Sequence, residues 1–369
     1  MTSAFERRTR ECREALAAAE ADGAVLSPGP NMYYLTGFHE GPSERHLLLF
    51  VPAEGEPAFV APTMYREQLA ETPVDDLRLW DDGDDPVALL REVGTELGLA
   101  DGHVLVDDRM WATFTTDLRA ALPEATFGLA GEVLADLRIR KDEDEIDALR
   151  RAGELADEVS VAVRELGEEA IGLTERELAR EIETLLADGG GEEPSFDSIV
   201  GAGPNGAKPH HRHGDREIGR GDPVVLDFGA YVDGYPGDQT RTFVFAGDPP
   251  ETFEVVFETV RKAQEAGVEA VEPGIEAQGV DRAAREVIEE AGYGEQFLHR
   301  TGHGVGLEVH EPPYIVEGND RELEPGMVFS VEPGIYLEGE FGVRIEDLVV
   351  VTEEGCERLN DSPRGWQPR

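Results

Sequence analysis

The chain has 369 residues, of which 40% are apolar, 79 are acidic and 33 are basic, and its formal net charge is -46. Nucleic-acid phosphates are bound by cationic side chains, so this charge balance argues against a nucleic-acid partner. The apolar fraction excludes a disordered chain, and the length favours two folded domains over one.

The acidic residues are spread along the whole chain, and lysine occurs only at Lys141, Lys208 and Lys262. Self-repulsion of this strength destabilises a compact state unless salt screens it, and at about 1 M salt the screening length is roughly 3 Å. We therefore predict adaptation to molar salt. The two cysteines, Cys12 and Cys356, are expected to be reduced thiols. Without a signal peptide or an apolar run of ~20 residues, the sequence predicts a soluble cytoplasmic protein that makes no membrane contact.

Residues 1–135 are predicted to form an α/β domain, because strand and helix patterns alternate along them. An amphipathic helix opens this domain. Apolar runs bounded by Gly and Pro then predict strands at 23–38, 46–52 and 57–62. Later patterns predict a strand at 103–107 and helices at 64–71, 86–98 and 111–121.

Residues 136–369 have a different pattern, with amphipathic helices followed by strands and Gly-rich turns. Helices are predicted at 137–166, 174–188, 251–271 and 276–291. The strand regions are a hairpin at 222–245 and successive antiparallel strands at 326–355. These patterns alone predict an α+β fold class.

Four acidic residues lie where an apolar strand pattern does not need them. Asp227 and Asp238 are on opposite arms of the predicted hairpin, which can bring their carboxylates face to face, although turn-capping aspartates are the alternative. Glu332 and Glu346 each interrupt an apolar run, where an acid is costly to bury unless it is paired or bound to metal. A strand-end acid is the alternative for Glu332, and an outward-facing strand position is the alternative for Glu346.

Two histidines, His303 and His310, lie in the glycine-containing stretch TGHGVGLEVHEPP. A single histidine is more often structural than a metal ligand. The whole set in chain order, two Asp, one His between glycines and two Glu, suits two metal ions about 3.5–4 Å apart with bridging carboxylates. The DFG triplet at 227–229 does not indicate a kinase, because no VAIK-like lysine precedes it and no HRD loop is present.

Four segments, LDFGAYVDGYPGDQTRTF, TGHGVGLEVHEPP, SVEPGIY and VRIEDLVVV, resemble in order and nearly in spacing the signature of the pita-bread metallopeptidases. That family includes Xaa-Pro dipeptidase (prolidase), aminopeptidase P, methionine aminopeptidase and the non-metal creatinase branch. SPGPNMYYLTGF and LRIRKDEDEIDALRRA resemble the family's N-terminal-domain motif and entry helix. The resemblance implies a C-terminal pita-bread fold preceded by a smaller α/β creatinase-like domain.

The resemblance places five residues on the family's metal-ligand positions: Asp227, Asp238, His303, Glu332 and Glu346. It implies that Asp227 binds one metal, that His303 and Glu332 bind the other, and that Asp238 and Glu346 bridge them. The complete set disfavours the creatinase branch and the inactive relatives. Two divalent ions are implied, with Mn or Co expected and Zn or Fe as alternatives.

Two further histidines resemble the family's substrate-contacting residues, namely His210 in GAKPHHRHGD and His310. The resemblance implies that they contact substrate and stabilise developing charge rather than bind metal. The neighbouring His211 and His213 have no counterpart in the family pattern. We interpret them as a solvent-exposed cluster and assign them no role.

Arg344 resembles the family arginine beside the last ligand, which implies that it holds a substrate carboxylate bidentately. A salt bridge to the surrounding acids is the alternative. Tyr235 and Thr240 are expected to support the metal ligands because both lie close to Asp238 in the sequence.

The implied reaction is exopeptidic hydrolysis of the Xaa-Pro bond of dipeptides or short peptides, by a hydroxide that bridges the two metals. Glu332 is expected to move the proton. The presence of a full N-terminal domain disfavours methionine aminopeptidase, and the Glu after His310 favours a prolidase over aminopeptidase P. The alternatives are an aminopeptidase P acting on longer peptides, a hydrolase of a non-peptide small molecule, and a non-catalytic peptide-binding module. A homodimer is also implied.

Overall fold

A mixed six-stranded sheet organises the N-terminal unit, Met1–Arg138, of the computed structural model, which describes residues 4–367. The strands are β1 (Gly23–Leu26), β2 (Leu48–Pro52), β3 (Ala58–Pro62), β4 (Asp76–Trp80), β5 (His103–Val106) and β6 (Thr126–Leu129). The helices are α1 (Ala4–Ala18), α2 (Pro30–Thr36), α3 (Arg66–Leu69), α4 (Pro86–Glu96), α5 (Ala112–Ala121) and α6 (Gly131–Arg138). The strand order is β4-β3-β2-β1-β5-β6, and β2 runs antiparallel to both of its neighbours.

The core of this unit lies between the sheet and two of its helices. Phe50 and Val60 of the fully buried strands β2 and β3 pack in one cluster with Leu90 of α4 and with Phe114 and Leu118 of α5. The two α5 residues are four positions apart and therefore share one helical face. The α/β prediction for this part of the chain is confirmed.

Three details differ from the predicted elements. Only the start of 23–38 is a strand, because Pro30 begins helix α2 and Gly37 ends it in the left-handed conformation with φ 73°. Strands β4 and β6 were not predicted. Both lie at sheet edges and are only partly buried, so their sequences lack a continuous apolar run. The boundary expected at residue 135 falls inside α6, and the domain limits stay a prediction.

The C-terminal unit, Ile139–Arg369, combines four long helices with two antiparallel sheets and two short ribbons. The helices are α7 (Glu143–Glu165), α8 (Glu175–Asp188), α9 (Phe253–Glu269) and α10 (Ala277–Glu290). The first group of strands is β7 (Ile199–Ala202), β8 (Val224–Phe228), β9 (Tyr231–Val232), β10 (Tyr235–Pro236) and β11 (Gln239–Phe243). The second group is β12 (Gly302–Gly304), β13 (Glu311–Ile315), β14 (Val328–Val331), β15 (Gly334–Leu337), β16 (Phe341–Arg344), β17 (Asp347–Thr352) and β18 (Gly355–Arg358).

One sheet has the order β11-β8-β7 and the other has the order β13-β12-β14-β17-β18. Helices α7 and α8 begin with capping boxes, in which Asp142 and Thr174 bond reciprocally with the glutamate three residues later. Their apolar faces pack against the first sheet, where Val159, Ile182 and Leu226 share one core cluster. These contacts fix the sheet that carries Asp227.

Two glycines allow neighbouring strands to approach closely beside the predicted ligands. A Cβ atom on Gly229 would lie 1.8 Å from the Gly237 carbonyl oxygen, and one on Gly302 would lie 1.8 Å from the Ser330 carbonyl oxygen. Neither distance is compatible with a side chain. The glycines in the DFG and TGHG segments therefore bring together backbone that carries the acids and the histidine.

Candidate metal centre

The first sheet and the strand β17 bring three predicted ligands to one place. Asp227 lies near the end of β8, and Asp238 immediately precedes β11, which pairs antiparallel with β8. Glu346 lies between β16 and β17, and its backbone N–H donates to the Thr240 carbonyl oxygen at 3.1 Å. This bond ties the segment that carries Glu346 to the strand that follows Asp238.

The second sheet supplies the other two predicted ligands. His303 is the central residue of β12, and Glu332 directly follows β14. The backbone N–H of His303 donates to the Ser330 hydroxyl at 3.1 Å, and that hydroxyl donates to Glu332 Oε1 at 3.2 Å. Ser330 therefore links the backbone of His303 to the carboxylate of Glu332.

The ligand atoms of Asp238, His303 and Glu346 all lie within 4.8 Å of one another, and all three residues are buried. His303 Nε2 is 3.7 Å from Asp238 Oδ2 and 3.3 Å from Glu332 Oε1. The Thr240 hydroxyl donates to Glu346 Oε2 at 2.6 Å, which agrees with the supporting position expected for that residue. The sheets thus bring four of the five predicted ligands into one cluster.

Asp227 joins this cluster through Arg344, whose Nη2 donates to Asp227 Oδ2 at 2.5 Å. Arg344 also donates to the Thr240 hydroxyl, the Pro209 carbonyl oxygen and the Tyr336 hydroxyl at 3.0–3.1 Å. The contacts of Arg344 are therefore those of the salt-bridge alternative. Its role in holding a substrate carboxylate stays a prediction.

The carboxylates of the cluster raise one another's pKa values. Burial, and then the charges of Glu346, Asp227 and Glu332, raise the pKa of Asp238 well above its ordinary value. Burial and the charges of Glu332 and Asp227 likewise raise the pKa of Glu346 well above its ordinary value. Burial raises the pKa of Glu332 to about 7, although the charge of Arg344 opposes this shift. The cluster therefore concentrates negative charge at a point where a cation would be stabilised.

His303 has the protonation state that a ligand needs. Burial and the charge of His310 hold the pKa of His303 well below its ordinary value, so the ring is neutral. Its Nδ1 lies 3.3 Å from the Gly304 carbonyl oxygen, an acceptor, which places the proton on Nδ1 and leaves the Nε2 lone pair facing the carboxylates.

The donor set fits a divalent metal ion. Carboxylate oxygens suit hard cations, and an imidazole adds affinity for transition metals. Asp227 Oδ1 is also buried and finds no hydrogen-bond donor among residues 4–367. A buried carboxylate oxygen without a donor is costly unless a ligand compensates it.

A cavity of about 590 Å³ opens onto this cluster. All eight predicted site residues line it: His210, Asp227, Asp238, His303, His310, Glu332, Arg344 and Glu346. His210 and His310 are exposed on its walls. The His310 ring meets the His303 ring edge-on, with 4.1 Å between the ring centroids.

Two expectations about neighbouring residues are wrong. His211 and His213 are not a solvent-exposed cluster, because His211 Nε2 lies 2.8 Å from buried Glu175 and His213 Nδ1 lies 2.9 Å from the Ser198 carbonyl oxygen. Tyr235 does not support a ligand. Its hydroxyl donates to Glu145 at 2.8 Å, because strand β10 packs on helix α7.

The family model for metallopeptidase family M24 matches residues 147–353, and the model for the creatinase/prolidase N-terminal domain matches residues 8–140. The chain belongs to metallopeptidase family M24. The resemblance found in the sequence and the predicted two-part fold are therefore confirmed. Divalent metal ions are the cofactors that membership in this metallopeptidase family implies.

Relatives of this M24 enzyme match it over nearly its whole length. The "Probable dipeptidase PepE" of Mycobacterium tuberculosis is 44% identical over 364 residues, which cover 97% of this chain and 95% of that protein. The "Xaa-Pro dipeptidase" of Pyrococcus horikoshii is 36% identical over 93% of each chain. The crystal structure of a prolidase from Thermococcus sibiricus superposes with a TM-score of 0.94 at 40% identity and covers 99% of each chain.

The cavity of the M24 enzyme also contains residues that sequence reasoning missed. His299 Nε2 lies 2.8 Å from the Tyr336 hydroxyl, and burial together with the charge of Arg344 lowers the pKa of His299 to about 4. The Arg300 guanidinium lies 4.3 Å from the centroid of the Tyr314 ring. The signals available were weak, since His299 and Arg300 merely precede the TGHG segment.

A buried ion pair anchors the wall that carries His310. Lys141 Nζ lies 2.8 Å from Glu311 Oε1, with side-chain exposures of 1% and 5%. Lys141 also donates to the Ile139 carbonyl oxygen at 3.3 Å. Because Glu311 directly follows His310, this pair holds the histidine segment of the M24 site in place.

Proposed function

We propose that this M24 metallopeptidase is an Xaa-Pro dipeptidase that hydrolyses the bond between the first residue and the proline of a dipeptide. One observation carries the proposal: four carboxylates and a neutral imidazole converge at the floor of a cavity whose walls bear two exposed histidines. The names of two relatives, "Probable dipeptidase PepE" and "Xaa-Pro dipeptidase", support it.

The proposal includes two divalent ions, with Mn or Co favoured and Zn or Fe as alternatives. Asp227 would hold one ion, His303 and Glu332 would hold the other, and Asp238 and Glu346 would bridge them. Bound divalent ions supply Lewis acidity and lower the pKa of a bound water toward neutrality. The buried Oδ1 of Asp227 and the mutual repulsion of the carboxylates support this assignment.

The chain's own residues would bind the peptide and move protons. Glu332, held by the Ser330 hydroxyl, would accept the proton of the attacking water and return it to the proline nitrogen. His210 and His310 would donate hydrogen bonds to the oxygen of the tetrahedral intermediate, where one donor contributes about 3 kcal/mol. Arg344, bonded to Asp227, would hold that carboxylate's orientation.

The cavity volume supports a short substrate. At about 590 Å³ the space lies within the range of sites for small molecules and suits a dipeptide better than a long chain. Phe196, Ile199 and Val309 give part of the wall an apolar surface that suits a proline ring. The M24 site therefore combines a charged floor with an apolar wall.

We further propose a cytoplasmic, salt-adapted homodimer. The net charge of -46 and the scarcity of lysine support salt adaptation, and the dimer rests on the family resemblance. No helix within residues 4–367 is long and apolar enough to span a membrane. Loss of near-UV circular dichroism on removal of salt would support the adaptation, and retention of fold and activity in dilute buffer would contradict it. Light scattering in molar KCl would test the dimer.

The deciding experiment is hydrolysis of Ala-Pro and of Ala-Pro-Ala in molar KCl, after chelation and again after addition of Mn or Co. Glu332→Gln should abolish the activity, whereas Glu338→Gln, which changes an exposed glutamate near the same strands, should not. Metal-dependent cleavage of the dipeptide alone supports the proposal. Cleavage of the tripeptide as well indicates aminopeptidase P, and cleavage of neither peptide contradicts the peptide substrate.

A further inference from the structure

The loop between β7 and β8, residues 203–223, carries His210, which lines the cavity and which the proposed function uses as a hydrogen-bond donor. Loops of this length are ordinarily mobile, because few of their groups are bonded to the body of the protein. A donor stabilises a transition state only if it is already oriented when the charge develops. The proposed role of His210 therefore requires that this loop be held in place.

One buried carboxylate outside the metal cluster binds the loop at several points. Glu175 is the first residue of helix α8 and is fully buried. Its Oε1 accepts hydrogen bonds from the Ala202 N–H and from the Asn205 side-chain amide, both at 2.9 Å. Its Oε2 accepts from His211 Nε2 at 2.8 Å and from the Gly214 N–H at 3.1 Å. These donors extend from the end of strand β7 to the middle of the loop.

The hydrogen bonds keep Glu175 ionised although it is buried. Burial alone would raise the pKa of Glu175, but the hydrogen bonds from the loop and from Ala202 lower it below its ordinary value. Because an ionised carboxylate only accepts hydrogen bonds, the His211 ring carries a proton on Nε2 and donates it. None of the four donors belongs to a predicted metal ligand.

Both neighbours of His210 are fixed by hydrogen bonds. On one side, the Pro209 carbonyl oxygen accepts from Arg344 at 3.1 Å. On the other side, the His211 side chain is 12% exposed and bonds to Glu175. His210 itself is exposed on the cavity wall. The two bonded neighbours fix the backbone direction at His210 and leave its ring accessible to a substrate.

We propose that Glu175, acting through His211, is a positioning residue that holds His210 in place to donate to the oxygen of the tetrahedral intermediate. This inference rests on the proposed peptidase function and adds to it the means by which the loop histidine is oriented. Two alternatives are tested below. In the first, Glu175 only stabilises the fold, and in the second, His211 contacts the substrate itself.

The first test is Glu175→Gln, which keeps the size of the side chain. A glutamine has one acceptor oxygen, so the N–H of either Ala202 or Gly214 loses its acceptor whichever way the amide is turned. With Mn in molar KCl, kcat for Ala-Pro should fall about 10-fold, because a small displacement of a catalytic group is costly. KM should change little, since the bond to the intermediate forms only in the transition state.

Glu145→Gln is the matched control, because it changes another buried glutamate in the first turn of a helix. Glu145 lies on α7 and bonds to Tyr235 outside the cavity. Its substitution should lower the melting temperature and leave kcat unchanged. A fall of kcat in Glu175→Gln alone then distinguishes positioning of His210 from general stabilisation of the fold.

Two substitutions of His211 test the link between Glu175 and the loop. His211→Leu removes the donor to Glu175, so it should lower kcat as Glu175→Gln does. His211→Gln retains an N–H donor at a similar reach and should keep kcat near the wild-type value. The comparison of leucine with glutamine separates loss of the hydrogen bond from loss of the imidazole ring.

The most specific measurement repeats Glu175→Gln in a His210→Ala background. His210→Ala alone should lower kcat about 100-fold, the loss expected for one donor to the developing oxyanion. If Glu175 acts through His210, the added Glu175→Gln has no further effect on kcat. Melting curves establish that each variant is folded. If Glu175→Gln does not fold, His211→Leu takes its place in the same comparison.

Three results would overturn the inference while the proposed function survives. They are an unchanged kcat in folded Glu175→Gln, an effect confined to KM, and an equal further fall of kcat in the His210→Ala background. The last result would mean that Glu175 or His211 acts independently of His210. If the wild type cleaves no Xaa-Pro peptide in the presence of metal, the proposed function fails and the inference fails with it.

Discussion

Glu346 and Asp347 are consecutive buried acids with opposite surroundings. Glu346 faces the carboxylates of the metal centre, and burial together with Glu332 and Asp227 raises its pKa. Asp347 accepts hydrogen bonds from Arg241 and Arg364 at 2.8 and 2.7 Å and also from Arg358. Burial alone would raise the pKa of Asp347, but the charges of the three arginines outweigh it and lower the pKa.

The difference shows two ways of compensating a buried carboxylate. For Asp347 the protein itself provides the positive charge, together with an amide hydrogen bond from Gln264 at 2.8 Å. For Glu346 it provides mainly like charges and one hydroxyl, from Thr240. Neutralising an acid of the first kind leaves buried cations without their partner and lowers stability, whereas an acid of the second kind itself lowers stability unless a cation binds.

The largest expected effect is the loss of activity caused by a substitution of Glu346. Glu346→Gln should lower kcat/KM for Ala-Pro about 10³-fold, the upper end of what one electrostatic contact contributes to catalysis. The same change removes one of the repelling charges, so it should raise the melting temperature of the chelated protein. Turnover with Mn and thermal melting in chelator measure the two effects. Retention of a substantial part of the activity would remove Glu346 from the proposed ligands.

Asp347→Asn is the matched neutral change one residue later. It leaves three arginines without their shared carboxylate, so it should lower the free energy of unfolding by about 3–5 kcal/mol. Urea unfolding in molar KCl, with chelator present, gives the value. Asp347→Asn should destabilise the chelated protein, whereas Glu346→Gln should stabilise it. A change of stability in the same direction for both variants would contradict the comparison.

A smaller effect, on metal affinity, is expected from a change of Thr240, whose hydroxyl donates a hydrogen bond to Glu346. Thr240→Val keeps the shape but removes the hydrogen bonds to Glu346 and Arg344, so metal affinity should fall about 10–100-fold. Titration of the chelated protein with Mn measures the affinity. Thr259→Val is the control, because that hydroxyl donates only to the Val255 carbonyl oxygen on α9. Equal affinities in the two variants would show that Thr240 has only a packing role.

The smallest effect concerns one arginine of the Asp347 cluster. Arg358→Gln removes one of three cations and should cost about 1–2 kcal/mol of unfolding free energy, since Arg241 and Arg364 remain. Arg282→Gln, which breaks the exposed pair with Glu317, should produce no measurable change. Urea unfolding measures the free energy of unfolding of both variants. Equal losses in the two variants would mean that burial of Asp347 does not strengthen its ion pairs.

The sequence predicted the parts of the fold that depend on local pattern. The helices α7 and α8 follow from apolar periodicity behind an acidic first turn, and the hairpin that carries Asp227 and Asp238 follows from apolar strands separated by glycines. Pattern alone gave only the α+β class, and the family resemblance supplied the pita-bread arrangement. Edge strands such as β4 were missed because they bury too little side-chain surface to require a continuous run of apolar residues.

The partners of individual polar side chains were less predictable. Arg344 and Asp227 are 117 positions apart, and Tyr235 and Glu145 are 90 apart, so tertiary packing alone determines that they meet. Thr240 was placed correctly because it lies two residues after Asp238, on the strand β11 that pairs with the strand of Asp227. Arg300 carries no local pattern that separates a cavity arginine from a surface one.

The buried pair of Lys141 and Glu311 has a practical consequence for attaching the protein to a surface. Amine-reactive reagents modify accessible lysines, and Lys141 is protected by its burial. Of the other two lysines, Lys208 adjoins the cavity residue Pro209, whereas Lys262 is exposed on α9. A Lys208→Arg variant would leave Lys262 as the single exposed lysine side chain of residues 4–367, so an immobilised enzyme could be tethered there with its cavity unmodified.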